Sequence, residues 1–310
     1  MPAATRALSG KILQQVAQHV PGLVGGSADL ASSCKTTLAE EDHIQKNKFD
    51  GRNIHFGIRE HAMGAITNGM RLHGSCIPFS STFLVFSDYM RPAIRLAALS
   101  KLQNIFVFTH DSFHVGEDGP THQPVEQVPS LRLIPNHQVI RPCDAYETAM
   151  AWKWALEKTD GPTSIILTRQ NLPEVAQDMH PDLDKGGYIL SEGIQPELDL
   201  ILIATGSEVG LAMETKALLE KKDKSVRVVS IPCLERFAEQ DTHYIHNVLP
   251  ENIRTVAIEA AQGDLWYKWV GADGLVISMD EFGASGPGKV VAEHFGFTPN
   301  SVFDQIMTLV

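Results

Sequence analysis

The chain has 310 residues, enough for one large domain or two of ordinary size. With 43% hydrophobic and 20% charged residues it has the composition of a globular protein that can bury a core, which excludes a disordered or low-complexity chain. A formal net charge of −11 argues against a nucleic-acid footprint, yet it leaves room for a local basic pocket that takes a small phosphate.

No apolar run approaches the roughly 20 residues that a membrane span needs. No basic, apolar leader opens the chain, so the expectation is a cytoplasmic protein that contacts neither membrane nor nucleic acid. Cys34, Cys76, Cys143 and Cys233 are far apart and form no C-x-x-C pair, which speaks against a zinc ribbon or a disulfide framework and for free thiols.

In chain order, residues 20–26 read as an apolar strand leading into the polar stretch 27–35. "TFLVFSDY" (82–89) places Phe83, Phe86 and Tyr89 at i, i+3 and i+6, a spacing that puts three rings on one side of a helical turn. "IFVFT" (105–109) is a β-rich run. Residues 139–140 precede "RPCD", a strand end turning into a helix over 145–158 with Asp144 as N-cap. "SIILT" (164–168) is another short strand. Residues 171–185, rich in Pro, Asp and Glu without periodicity, read as a linker. The alternation then restarts with "DLILIA" (199–204), a helix through 219, "VRVVSI" (226–231) and "TVAI" (255–258). Strands separated by helices of this length predict parallel sheets of βαβ units, hence two consecutive parallel-sheet α/β domains over 1–185 and 186–310. The "TGSEVG" loop (205–210) lacks the glycine spacing of a phosphate-binding loop and reads as a βα turn with Ser207 capping the helix.

One stretch carries chemistry. "THDSFHVGEDGPTHQP" (109–124) holds three histidines and three acids. The spacing of His110, His114, Glu117, Asp118 and His122 fits no metal-ligand pattern, and Gly116, Gly119 and Pro120 break any helix that could align them, so no metal is expected. The alternatives are a solvated polar loop and a catalytic loop at the carboxyl end of a parallel strand, where imidazoles serve proton traffic and glycines let backbone approach a ligand.

"GGSADL", "FGIREHAM", "STFLVF", "HDSFHVGEDGPTHQP", "RPCDAYE", "LTRQNLP", "GGYIL", "ATGSEV", "DEFGASGPG" (280–288) and "FGFTP" (295–299) occur in the order and spacing of the carboxyl-terminal half of transketolases. The chain resembles that family from about Ala4 to its end. The resemblance implies a thiamine-diphosphate pyrimidine-binding domain followed by the carboxyl-terminal domain. The family's diphosphate-binding domain, which holds Mg2+ with its Gly-Asp-Gly…Asn motif, has no counterpart here.

Residue by residue, Glu60 in "IREHAM" matches the catalytic glutamate, a carboxyl group bonded to N1′ of the aminopyrimidine. Phe83, Phe86 and Tyr89 match the pyrimidine pocket, and Asp29 a residue that orders it. His110 matches a histidine near the substrate phosphate, Asp118 an aspartate that bonds a substrate hydroxyl, and His122 a histidine beside the reacting carbons. Arg6, Ser33 and Arg169 match the phosphate clamp. His114 departs from the family pattern and takes no role, and "DEFGASGPG" reads as a structural turn.

The activity implied is reversible transfer of a two-carbon ketol unit between sugar phosphates, a transferase step of the pentose phosphate pathway. The family pattern begins almost at once after Met1. That favours a subunit of a split enzyme over a truncated piece: a half-enzyme that needs an amino-terminal partner and forms a heterotetramer with two copies of each. The rivals are an enzyme of the dihydroxyacetone synthase or 1-deoxyxylulose-5-phosphate synthase type and a non-catalytic regulatory subunit. "GEDGPTHQP" and the clamp argue against the first, and the presence of Glu60 against the second.

Overall fold

The structure, a computed structural model, describes residues 2–175 and 180–308. Part of the stretch expected to be a linker, residues 176–179, therefore lies outside the described residues.

The first unit runs α1 (Thr5–His19), β1 (Leu23–Ser27), α2 (Ala31–Cys34), β2 (Asn53–His55), α3 (Glu60–His73), β3 (Ile77–Phe83), α4 (Ser87–Leu99), β4 (Ile105–Thr109), α5 (Gln127–Arg132), β5 (Gln138–Ile140), α6 (Ala145–Glu157) and β6 (Thr163–Leu167). Among the described residues its six strands pair in the order β2-β1-β3-β4-β6-β5, all parallel. Helices cover both faces of such a sheet, so its central strands are buried and largely apolar. Every residue of β4 and of β6 is buried, which is why both were visible as unbroken runs. Asp144 caps α6 as expected, its carboxylate accepting from the backbone N–H of Glu147 at 2.9 Å.

The second unit runs β7 (Tyr188–Ser191), β8 (Leu200–Ala204), α7 (Glu208–Glu220), β9 (Val226–Ser230), α8 (Leu234–Ala238), α9 (Thr242–Val248), β10 (Thr255–Ile258), α10 (Tyr267–Val270), β11 (Leu275–Ile277), α11 (Gly288–His294) and α12 (Pro299–Met307). Its strands pair in the order β11-β10-β8-β9-β7. This sheet is only mostly parallel, because β7 runs antiparallel to β9. β7 enters at the sheet edge with no crossover helix between it and β8, so nothing forces a parallel register. The fold is therefore α/β in two consecutive units, as the alternation predicted, with one edge strand reversed.

The units share their cores. Phe113, Val125 and Cys143 of the first pack among Leu202, Val209, Ile258 and Phe297 of the second. Tyr188 and Cys233 of the second pack with Trp152, Trp154 and Ile165 of the first. The four cysteines are free thiols, with Cys34, Cys143 and Cys233 buried. No helix among the described residues is long and apolar enough to cross a membrane.

At the centre of this interface lies Arg141, in the loop after β5, with no exposed surface. Its guanidinium donates to Asp111 (2.8 Å) from its own unit and to Glu208 (3.0 Å) and Glu259 (2.8 Å) from the other. Arg132 donates to the second oxygen of Glu259 at 2.8 Å, and the Trp266 indole N–H donates there too, at 2.6 Å. Burial opposes the charge of Arg141, but Glu208, Asp111 and Glu259 overcome it and raise its pKa. Ser207 stands at the N-cap position of α7 but does not cap. Its hydroxyl is oriented to donate to the carboxylates of Asp111 and Glu208, charged acceptors, and its oxygen accepts from no N–H of the helix.

Removing one partner from a buried ion pair strands the others, at a cost of about 3–5 kcal/mol. Arg141→Met is accordingly expected to lower the unfolding free energy by about that amount in urea titration. Lys153→Met, which removes an exposed i,i+4 pair with Glu157, should cost under about 0.5 kcal/mol. Equal costs for the two would contradict the role given to Arg141.

Candidate functional site

Four parallel strands deliver their carboxyl ends to one edge of the first sheet. Ser27 of β1 stands beside Ser81 of β3, Phe83 beside Thr109 of β4, and Thr109 beside Leu167 of β6. The residues that follow these ends are the ones singled out by the sequence: Asp29, the Phe83–Tyr89 stripe, His110 and Arg169. Two of them, Asp29 (φ 62°) and His110 (φ 63°), hold left-handed backbone without being glycine. That conformation costs about 1 kcal/mol, and it turns both side chains sharply out of the strand direction.

Arg6 reaches this edge from α1, although it lies near the amino terminus. Thr5 and Thr168 exchange hydrogen bonds: the Thr5 N–H donates to Thr168 Oγ1 (3.0 Å) and the Thr168 N–H to Thr5 Oγ1 (2.8 Å). This brings two Thr-Arg dipeptides together, 5–6 and 168–169, and sets Arg6 beside Arg169. Arg6 Nη1 donates to the Ser33 carbonyl at 2.9 Å and lies 3.4 Å from His110 Nε2. Ser33 thus meets Arg6 through its backbone rather than its hydroxyl. Burial lowers the pKa of Arg6, and the neighbouring charge of Arg169 lowers it further.

The His110 ring stacks on Phe83, with centroids 3.6 Å apart, and its Nδ1 lies 2.8 Å from Thr109 Oγ1. Burial first, then the charges of Arg6, Arg169 and His122, push its pKa down to about 3. The imidazole is therefore neutral at pH 7 and adds no third cation beside the two guanidinium groups. Burial likewise pushes the Cys34 thiol, near Thr109, up to about 11, so it lines the site as a neutral group.

The aromatic stripe forms, but not on one helix. Phe83 ends β3, a single 3₁₀ turn covers Leu84–Phe86, and Tyr89 lies in α4. A 3₁₀ turn repeats every three residues, so the i, i+3 spacing still aligns the rings. Phe83–Phe86 and Phe86–Tyr89 each stack at 5.9 Å. Exposure rises along the stripe from 8% at Phe83 to 65% at Tyr89, which makes it a ledge running out to the surface. His122 meets Phe86 edge-on at 5.6 Å, with its Nδ1 2.9 Å from Thr121 Oγ1.

The structure thus gathers Arg6, Ser33, Phe83, Phe86, Tyr89, His110, His122 and, through its charge, Arg169. It does not tie Asp29, Glu60 or Asp118 to them. Glu60 is the first residue of α3 and is only 7% exposed, yet among the described residues its carboxylate has no hydrogen-bond or ion-pair partner. Asp118 is exposed, as is Asp29. His114 points away, against Phe113 at 4.5 Å. No group of three or more His, Cys, Asp or Glu among the described residues could hold a metal ion. Sequence reasoning missed Thr5, Thr168, Thr109 and Asp111. The repeated Thr-Arg dipeptide was the available signal for the first two.

Chemically, the arrangement offers an anion two guanidinium groups, paired with no carboxylate among the described residues, and a neutral imidazole. It adds an apolar ledge for a flat ring and, on a residue only 7% exposed, a carboxyl group with no partner among the described residues.

The model of the transketolase pyrimidine-binding domain matches residues 1–175, and that of the transketolase-like TK C-terminal domain matches 186–298. The chain is 49% identical to transketolase of Aquifex aeolicus over 98% of its own length and 44% of that protein's. It is 49% identical to transketolase of Bacillus subtilis over 99% and 47%. Among solved structures, transketolase from Leishmania mexicana superposes with a TM-score of 0.95 at 42% identity, covering 99% of this chain and 45% of that one. A split-gene transketolase described as an inactive β4 tetramer superposes at 0.80 with 27% identity, covering 99% of this chain and 98% of that one. The chain spans about half the length of the curated relatives it matches. Two family models in series, together with this sheet-edge geometry, place the chain in the transketolase family, of which it contains the pyrimidine-binding and carboxyl-terminal domains.

Proposed function

We propose that this chain is the pyrimidine-binding half of a split transketolase. With a separate diphosphate-binding subunit it transfers a two-carbon ketol unit reversibly from a ketose phosphate to an aldose phosphate, of the xylulose 5-phosphate to ribose 5-phosphate type. The observation that carries this reading is the meeting of Arg6, Arg169 and neutral His110 beside the ring ledge. A dianionic phosphate suits two guanidinium forks, and a flat heterocycle suits the ledge.

The residues present fit thiamine diphosphate. The partnerless Glu60 carboxyl is the group that would bond its aminopyrimidine, and Phe83, Phe86 and Tyr89 would flank that ring, with Asp29 ordering the strand exit beside it. The bound cofactor would supply the nucleophilic carbon and the electron sink. Glu60 would hold a proton at the ring nitrogen of that cofactor. Arg6, Arg169 and His110 hold the substrate phosphate, with the Ser33 backbone fixing Arg6. Asp118 accepts from a substrate hydroxyl, and His122 moves a proton at the reacting carbons. Mg2+ and the diphosphate belong to the partner subunit on this reading.

The surface supports association. Ile66 and Leu72 on α3, Leu96 and Leu99 on α4, and Leu133 after α5 are all about half exposed or more. Large apolar side chains on adjacent packed helices mark a contact surface. We assign it to a second copy of this chain, giving two copies of each subunit.

The purified chain is expected to be inactive with thiamine diphosphate and Mg2+ and active once an amino-terminal transketolase half is added. Glu60→Gln should then cut ketol transfer by about 100-fold or more. Activity of the chain alone would rule out the half-enzyme. Association without activity would favour a non-catalytic subunit.

Removing one charged phosphate contact is worth about 1.5–3 kcal/mol, so Arg169→Met should raise the sugar-phosphate KM about 10- to 150-fold. A His whose folded pKa lies below its unfolded value gives stability that is present above pH 6.5 and lost as pH falls toward about 3. In NMR titration His110 should stay neutral at pH 5, and Arg6→Met should move its midpoint upward. An ordinary midpoint near 6.5 would remove the charge crowding on which the anion pocket rests.

A further inference from the structure

The segment 280–288 read as a structural turn, and no residue of the second unit was assigned to the site. Its position says more. It lies against the loop 111–123, which carries Asp118 and His122. Gln123 is 2% exposed, and its amide donates both to the Gly116 carbonyl (2.9 Å), across its own loop, and to the Ala284 carbonyl (2.9 Å), in the other unit. One side chain therefore closes the loop and docks it. Ser285 Oγ donates to the Glu117 carbonyl at 2.7 Å, next to Asp118. A β-carbon on Gly283 would fall 1.7 Å from Gln123 Oε1, so the segment must carry glycine there to come this close.

The rest of the loop is fixed at the same interface, by residues of both units. Phe113 packs on Phe295 and Phe297 at 5.9 and 5.2 Å, Asp111 is held by Arg141, and the Val125 carbonyl accepts from Gln262 N–H at 2.9 Å. Gly116, at φ 86°, turns the chain between these anchors. Between these anchors Asp118 and Thr121 are exposed and His122 is partly so.

We propose that segment 280–288 is a strap through which the second unit positions Asp118 and His122, and that Gln123 is the positioning residue. The identity of what those two residues act on rests on the function proposed above, but the strap itself does not. A segment such as 116–122, closed by short-range polar contacts, opens locally unless it is docked.

The test is hydrogen exchange on the full chain. In Gln123→Met, which keeps the volume and removes the donor, amides 116–122 should exchange at least tenfold faster, while those of β4 and β10 keep their rates. Ser285→Ala should give a smaller increase, and Ser285→Thr, which keeps the hydroxyl, none. With an active partner half added, Gln123→Met should raise the sugar-phosphate KM more than it lowers kcat. Unchanged exchange over 116–122, or an equal rise throughout β4 and β10, overturns the strap. Because exchange needs no turnover, a failed catalytic reading shows only in the assay and a failed strap only in exchange.

Discussion

The geometry of the molecule depends on a single guanidinium. Arg141 is buried where two units meet, and three carboxylates from three separate turns converge on it. Without a cation between them Asp111, Glu208 and Glu259 would repel one another in a medium that screens little. With it, each unit supplies what the other lacks: the first brings Arg141, Arg132 and Asp111, and the second Glu208 and Glu259. Glu259 is buried, which works against its charge, yet Arg132 and Arg141 hold its pKa below the usual range. Burial keeps the pKa of Glu208 raised even beside Arg141. A buried network of this kind is a poor source of stability compared with an apolar core, but it is intolerant of misalignment. It therefore fixes Asp111, and Asp111 fixes the exit of β4, where the left-handed His110 stands one residue earlier.

The same chain treats its arginines in opposite ways. Arg141 is enclosed by acids, whereas Arg6 and Arg169 lie beside each other with a neutral histidine, a neutral thiol and a backbone carbonyl nearby and, among the described residues, no carboxylate paired to either. In a protein of net charge −11 an acid could have been placed there to quench them. On the proposed reading, setting two cations side by side costs stability that a bound phosphate dianion would return. The depressed pKa of His110 belongs to the same setting, because burial and the two neighbouring guanidinium charges both disfavour a third cation there.

Much of this was legible in the sequence, for reasons specific to each element. The strands "IFVFT", "SIILT" and "DLILIA" were visible because sheets covered on both faces need continuous apolar runs, and the structure places strands at 105–109, 163–167 and 200–204. β1 and β2, with their glycines, histidine and asparagine, carry weaker patterns. β7 could not be oriented from its own residues, since strand direction is set by what precedes and follows it. The helical spacing of Phe83, Phe86 and Tyr89 survived a strand-to-3₁₀ transition only because both geometries bring every third residue to one side there. Nothing local marks Arg141 as buried, because its partners lie 30, 67 and 118 residues away. Gln123 was equally silent: its role exists only once residues 280–288 lie against it.

The two faces of the loop from His110 to Gln123 explain how an incomplete site can still be a prepared one. One face is held by Arg141 of its own unit and by Phe295, Phe297, Ala284 and Ser285 of the second, so its backbone is fixed by contacts within the chain. The other presents Asp118, Thr121 and His122 outward, near the exposed end of the ring ledge. Affinity rises when the ordering cost has been met before binding. A chain that supplied the outward half of the pocket would meet a surface already fixed by contacts it does not touch. On the proposed reading, this is how two domains that hold neither the diphosphate nor the metal still contribute to the reaction: they settle in advance the positions of the groups that the cofactor and the sugar phosphate must find.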